Sequence, residues 1–189
     1  KDDAIVGGVR YYDTLVDDAR HTMTVLRTAA EYGADVRTNT EVIGFDKDRG
    51  GRIVGAKVRD TATGRETTVR GKVFINATGV WTESLQELSG ADAGLKVLAS
   101  KGIHIVVPKE AIDAQTGIFL RTEKSVLFII PWPRYWVIGT TDTPWSEDPS
   151  KPVATAADID YVLEHANEVL SRPLTRDDII GVYAGLRPL

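Results

Sequence analysis

With 189 residues, 42% of them hydrophobic and 26% charged, the chain has the length of one domain or two small interleaved ones and the usage of a globular rather than a disordered protein. Lys and Arg total 23 against 27 Asp and Glu, a formal charge of −4, which argues against a nucleic-acid surface. The absence of Cys excludes disulfides, thiolate metal sites and a cysteine nucleophile, and with only His21, His104 and His165, far apart in sequence, no metal site is expected.

Gly8–Tyr12 is a short aromatic stretch, expected on an edge strand. Asp17 is placed to cap a helix, with Asp18 in its first turn. Met23, Leu26, Ala29 and Ala30 recur at helical spacing as far as Tyr32, which predicts an amphipathic helix with Gly33 as its C′ residue. Residues 34–37 read as a short strand. Glu41–Asp46, Arg52–Arg59 and Glu66–Val69 alternate and are separated by turn clusters, so they predict an antiparallel meander with one polar face.

Val73-Phe74-Ile75 is apolar without alternation and runs through Asn76-Ala77-Thr78-Gly79 into a helix over Thr82–Leu88. That pattern suits a buried parallel strand feeding a nucleotide-type βα turn, in a sheet of which part is expected to be missing from this chain. Ile103–Val107, Gly117–Arg121, Val126–Ile130 and Tyr135–Gly139 read as strands, with Pro131-Trp132-Pro133-Arg134 as a stiff hairpin connection. Thr155 predicts the start of a helix reaching about Leu170, with Val162, Leu163, Ala166, Val169 and Leu170 on its buried face. Ile179–Leu186 is the last strand. The fold class is therefore α/β or α+β: an incomplete βα-containing portion over residues 1–95, and an antiparallel sheet with a helix over residues 96–189.

No apolar run approaches the ~20 residues of a spanning helix, and no basic-then-apolar segment opens the chain. A cytoplasmic placement is the expectation.

Four features carry candidate chemistry. The small residues at 76–79 let a ligand approach the backbone where helix N–H groups favour an anion; the same residues also make an ordinary tight connection. His104 points away from the row Ile103, Ile105, Val107, either as a general base near neutral pH or as a satisfied histidine. Thr140-Thr141-Asp142-Thr143 is a polar pocket edge or a capped turn. Arg187, at a strand end, suits bidentate capture of a phosphate or carboxylate, or a surface ion pair. Trp81 follows the Thr-Gly turn closely enough to touch a ligand there.

The blocks Gly8-Val9-Arg10-Tyr11-Tyr12-Asp13, Val16-Asp17-Asp18-Ala19-Arg20, Asn76-Ala77-Thr78-Gly79-Val80-Trp81-Thr82, Gly102-Ile103-His104-Ile105-Val106-Val107-Pro108, Ile130-Pro131-Trp132, Ile138-Gly139-Thr140-Thr141-Asp142-Thr143 and Gly185-Leu186-Arg187-Pro188-Leu189 occur in this order. In that order the chain resembles the middle of the FAD-dependent glycerol-3-phosphate dehydrogenases of the aerobic, respiratory type. The resemblance implies a fold of the D-amino-acid-oxidase-like flavoenzymes, in which part of an FAD/NAD(P)-binding-type sheet is interleaved with a substrate-domain sheet. It implies oxidation of sn-glycerol 3-phosphate to dihydroxyacetone phosphate by hydride transfer to FAD, with electrons passed to a quinone. A peripheral position at the inner face of the cytoplasmic membrane, and a homodimer, go with that role.

Residue by residue, the resemblance places Val42, Ala77, Thr78, Gly79 and Trp81 at the FAD, His104 as the base, Arg187 on the substrate's phosphate or C2 oxygen, and Thr141 and Asp142 beside the pocket. The family's opening Gly-x-Gly-x-x-Gly loop is not in this sequence, so the chain is expected to be a fragment and inactive alone. A related flavin amine or hydroxy-acid oxidase, and a non-catalytic piece binding no flavin, remain as alternatives.

Overall fold

The computed structural model describes residues 7–90, 94–123 and 125–189. The first six residues of the 1–95 segment lie outside the described residues. The chain divides into two units, one formed by Gly7–Asn76 with residues 87–90, the other by Ala77–Gln86 with residues 94–189.

The first unit opens on helix α1 (Asp18–Glu31), capped by the Asp17 carboxylate, which accepts a hydrogen bond from the Arg20 backbone N–H. Gly33, at φ +92, releases the chain after it, because a left-handed residue there lets the last carbonyls pair. The apolar stripe is present, but Met23 and Leu26 stay 56% and 37% exposed. Periodicity marks a face, and burial requires a neighbour that no described residue of this unit supplies. β1 (Thr40–Lys47), β2 (Ile53–Asp60) and β3 (Glu66–Arg70) form the expected antiparallel meander in the order β1-β2-β3. Gly55, Ala56 and Val58 are its buried positions.

Three expected strands are absent. Gly8–Tyr12, residues 34–37 and Val73–Ile75 carry no regular structure, and Val73 and Ile75 are largely exposed. A strand exists only if its backbone groups meet a partner, and among the described residues every ladder is antiparallel and none includes these segments.

The second unit begins with a 3₁₀ turn at Gly79–Trp81 that leads into α2 (Thr82–Ser89). Its sheet contains β4 (Ala99–Pro108), β5 (Ile118–Arg121), β6 (Val126–Pro131), β7 (Tyr135–Gly139), β8 (Thr143–Pro144) and β9 (Gly181–Pro188). The order is β5-β6-β7-β4-β8, with β9 along the other edge of β4. Helix α3 (Ala156–Asn167) opens on a capping box in which the Thr155 hydroxyl accepts from the Asp158 N–H while the Asp158 carboxylate accepts from the Thr155 N–H. It ends three residues earlier than its apolar pattern, although Leu170 beyond it is still buried.

β4 decides how this unit is arranged. It starts four residues before the apolar run that announced it. Ile103, Ile105 and Val107 are fully buried and belong to one core with Leu127, Ile129, Trp136, Ile138 and the α3 residues Val162, Leu163 and Ala166. A fully buried aliphatic side chain contributes roughly 1.5–3 kcal/mol, so this face of the sheet is committed to α3. The alternate residues Ser100, Gly102, His104 and Val106 face the other way. No helix among the described residues is long and apolar enough to cross a membrane.

Candidate active site

The cross-strand register brings distant residues together on the face of β4 that α3 leaves alone. Arg187 of β9 stands across from Ser100, Gly185 from Gly102 and Tyr183 from His104. On the opposite side of β4, Gly139 of β7 stands across from His104 and Val137 from Val106. Directly opposed residues share a face, so His104 and Arg187 are on one surface although 83 positions separate them in sequence (187 − 104).

The Arg187 guanidinium lies down along that surface. Nη2 donates to the Thr140 hydroxyl at 2.8 Å, and both Nη1 and Nη2 donate to the Thr141 carbonyl at 3.2 Å. Gly102 makes the crossing feasible: a Cβ there would stand 2.3 Å from Arg187 Nη2 and 2.5 Å from Thr140 Oγ1. Nε and one N–H of Nη1 make no hydrogen bond among the described residues, so a forked cation is seated with donors left for an anionic ligand.

Asp142 lies 3.7 Å from Arg187 Nη1 and accepts a short hydrogen bond from the Ser100 hydroxyl. It is therefore a partner of the arginine before it is a ligand group. Thr141 is similarly committed. Its hydroxyl accepts from the Ile103 N–H at 3.1 Å and donates to the Lys101 carbonyl at 3.4 Å, so its carbonyl, not its hydroxyl, faces Arg187. The Gly139–Thr140 peptide that precedes this segment is cis.

His104 occupies a slot. A Cβ on Gly139 would stand 2.5 Å from His104 Cδ2, so only glycine leaves space for the imidazole on that side. The Tyr183 ring stacks on the other side, with centroids 5.0 Å apart and planes at 12°. Burial first, and then the positive charge of Arg187, push the His104 pKa below its ordinary 6.5. Both disfavour the imidazolium, so the ring is neutral at pH 7 and available to accept a proton.

Beneath this surface is a group that the sequence reading missed. Lys101 and Asp158 are 4% and 7% exposed and pair at 2.6 Å, and Lys101 Nζ also donates to the Val153 carbonyl. Burial acts to raise the Asp158 pKa, but the Lys101 ammonium and the Thr155 N–H and hydroxyl outweigh it and hold the carboxyl below its ordinary 3.8. Ser100, Gly102, Gly139 and Tyr183 were also missed. The register identifies them, and nothing in the local sequence does.

The other candidates lie on different elements. Ala77 is exposed and Thr78 half-buried. Gly79 sits at φ +58, and a Cβ on it would meet only Pro188 Cγ, at 4.0 Å. This turn thus runs beside the end of β9, next to Arg187. Trp81 follows at 47% exposure. Val42 is a half-buried residue of β1 in the other unit.

The model of the FAD-dependent oxidoreductase family matches residues 1–189. A glycerol-3-phosphate dehydrogenase of Mycobacterium leprae is 55% identical over 189 residues, covering 100% of this chain and 32% of that protein. Glycerol-3-phosphate dehydrogenase 2 of Mycobacterium tuberculosis is 56% identical over the same span, again 32% of its length. A crystal structure of glycerol-3-phosphate dehydrogenase from Bacillus halodurans complexed with FAD superposes with a TM-score of 0.86 at 35% identity, covering 92% of this chain and 35% of that one. The chain thus spans about a third of the length of the relatives it matches.

Proposed function

The chain belongs to the FAD-dependent oxidoreductase family, and from that premise we propose that it supplies the substrate side of a glycerol-3-phosphate dehydrogenase, which oxidises sn-glycerol 3-phosphate to dihydroxyacetone phosphate. The observation that carries the reading is the pairing, on one sheet face, of a neutral, half-buried histidine with an arginine seated by Thr140 and Thr141. Relatives named for that activity, matching across the whole chain, support it.

In this reading Arg187 binds the substrate through its phosphate or C2 oxygen, using the guanidinium N–H groups that Thr140 and Thr141 do not take. His104 accepts the C2 hydroxyl proton. Asp142, tied by Ser100, keeps the guanidinium oriented. Bound FAD would supply the hydride acceptor for C2, since protein side chains do not accept hydrides. Ala77, Thr78, Gly79 and Trp81 would contact the cofactor, and the fit at this turn rests on the left-handed Gly79, at which an added Cβ would meet only Pro188 Cγ. Val42 is assigned to the cofactor by the family resemblance alone. Passage of electrons to a quinone, contact with the inner face of the cytoplasmic membrane and a homodimeric parent enzyme belong to the same proposal and rest on the resemblance of the motifs.

Anaerobic bleaching of the flavin tests the reading in the full-length protein that contains this chain, loaded with FAD. sn-Glycerol 3-phosphate should bleach it, and glycerol, glycine and lactate should not. Bleaching by glycine or lactate in preference would replace the dehydrogenase with an oxidase of the same fold.

A further inference from the structure

Tyr183 is placed as no core residue would be. It lies on the face of the sheet away from α3, is 52% exposed, and lays its ring flat on the one imidazole of that face. It is the direct register partner of His104 across β4 and β9, so the backbone ladder itself sets the two rings side by side. On the far side Gly139 carries no Cβ, where one would stand 2.5 Å from His104 Cδ2. The histidine is clamped between a glycine backbone and an aromatic plate.

We propose that Tyr183 is a positioning residue for proton transfer at His104: its ring fixes the plane of the imidazole and shields one face of it from water, leaving the ring edge to meet the substrate. Aromatic rings in offset parallel contact resist rotation about the histidine side-chain bonds, and a general base works only when held within hydrogen-bond reach of its proton. The inference deepens the proposed function, since it takes His104 as the base.

Among the described residues, the groups around His104 come from β9, β7 and β4. β9 brings Arg187 and the Tyr183 phenol, with Asp142 behind Arg187. β7 places Gly139 and Val137 beside it. On β4 itself, Lys101 lies on the opposite face, paired with Asp158. Removal of the Tyr183 ring opens the stacked face of the imidazole to water.

The test compares Tyr183→Phe with Tyr183→Ala in the full-length, FAD-loaded protein, by two readouts. The first is the titration of His104 followed by NMR in histidine-labelled protein, its resonance identified by loss in His104→Gln. The second is kcat and KM for sn-glycerol 3-phosphate across pH. Tyr183→Phe should leave the titration and the rate as they were. Tyr183→Ala should move the His104 pKa up toward the ordinary 6.5, shift the acid limb of the rate to higher pH, and lower kcat by about ten- to a hundredfold with the smaller change in KM. Should Tyr183→Ala fail to fold, Tyr183→Leu, which keeps bulk without a flat ring, takes its place. An unmoved titration in the variant without the ring, or a Phe variant as damaged as Ala, would overturn the assignment. A protein that oxidises no glycerol 3-phosphate fails the functional reading instead, while the titration still answers for the stacking.

Discussion

The Arg187 guanidinium reaches Thr140 by passing over Gly102, and donates from Nη2 to the threonine hydroxyl at 2.8 Å. The contact joins the end of β9 to the segment just after β7 across the intervening strand β4. Three strands therefore hold one cation in place, and the side chain that would block it is missing from the middle strand.

Gly102→Ala follows from that geometry. The added Cβ meets Arg187 Nη2 at 2.3 Å and the hydroxyl of the buried Thr140 at 2.5 Å, so the guanidinium moves off the threonine and Thr140 must also give. Loss of a charge-assisted contact worth roughly 1.5–3 kcal/mol raises KM for glycerol 3-phosphate by about ten- to a hundredfold, with a small fall in melting temperature as Thr140 shifts. Gly139→Ala is the contrast, because its Cβ would lie 2.6 Å from the backbone carbonyl of Ile103. It should lower stability by about 1–3 kcal/mol. Steady-state kinetics and thermal melts on the two variants check the pair, and equal effects on stability would contradict it.

Arg187→Lys keeps the charge and loses the fork. An ammonium cannot hold the Thr140 hydroxyl, the Thr141 carbonyl and an anion in one plane. KM should rise by about tenfold or more while FAD content stays as before. An unchanged KM would remove Arg187 from the substrate.

The pH dependence has a definite sign. Burial and Arg187 lower the His104 pKa below 6.5, and a general base works when unprotonated. Thus kcat/KM should be flat through pH 7 and fall only on an acid limb whose midpoint lies below 6.5. A limb at or above the ordinary imidazole value would contradict the arrangement.

The Lys101–Asp158 pair predicts a stability effect on the other face of β4. Lys101→Met leaves a carboxylate buried without its cation and should destabilise by about 3–5 kcal/mol. The folded pKa of Asp158 is depressed. Its contribution is therefore present above the ordinary carboxylate pKa and lost as pH falls through the lower folded value. The gap between wild type and Lys101→Met should narrow in that acid range, as urea melts at stepped pH would show. A gap independent of pH would contradict the pairing.

What the sequence disclosed follows how far each feature depends on its neighbours. The caps at Asp17 and Thr155 were legible because a capping side chain bonds a backbone group three residues away. The alternation of Ile103, Ile105 and Val107 against His104 was legible because a strand has period two. Residues 34–37 and Val73–Ile75 looked equally like strands, but a ladder needs a partner. His104 and Arg187 stood out through their motifs. Gly102, Gly139, Ser100 and Tyr183 did not, because their meaning lies in which residue stands across the sheet, and a register between strands whose paired residues are 35 (139 − 104) or 79 (183 − 104) positions apart is invisible in the local pattern.

The most direct test of the account is single-turnover reduction of the flavin by sn-glycerol 3-phosphate in the full-length, FAD-loaded protein, with His104→Ala beside the wild type. Loss of a general base should slow flavin reduction by about 10²–10⁴-fold, with FAD content and substrate binding preserved. Flavin reduction at the wild-type rate in His104→Ala would contradict the account, since the proton would then leave by another group.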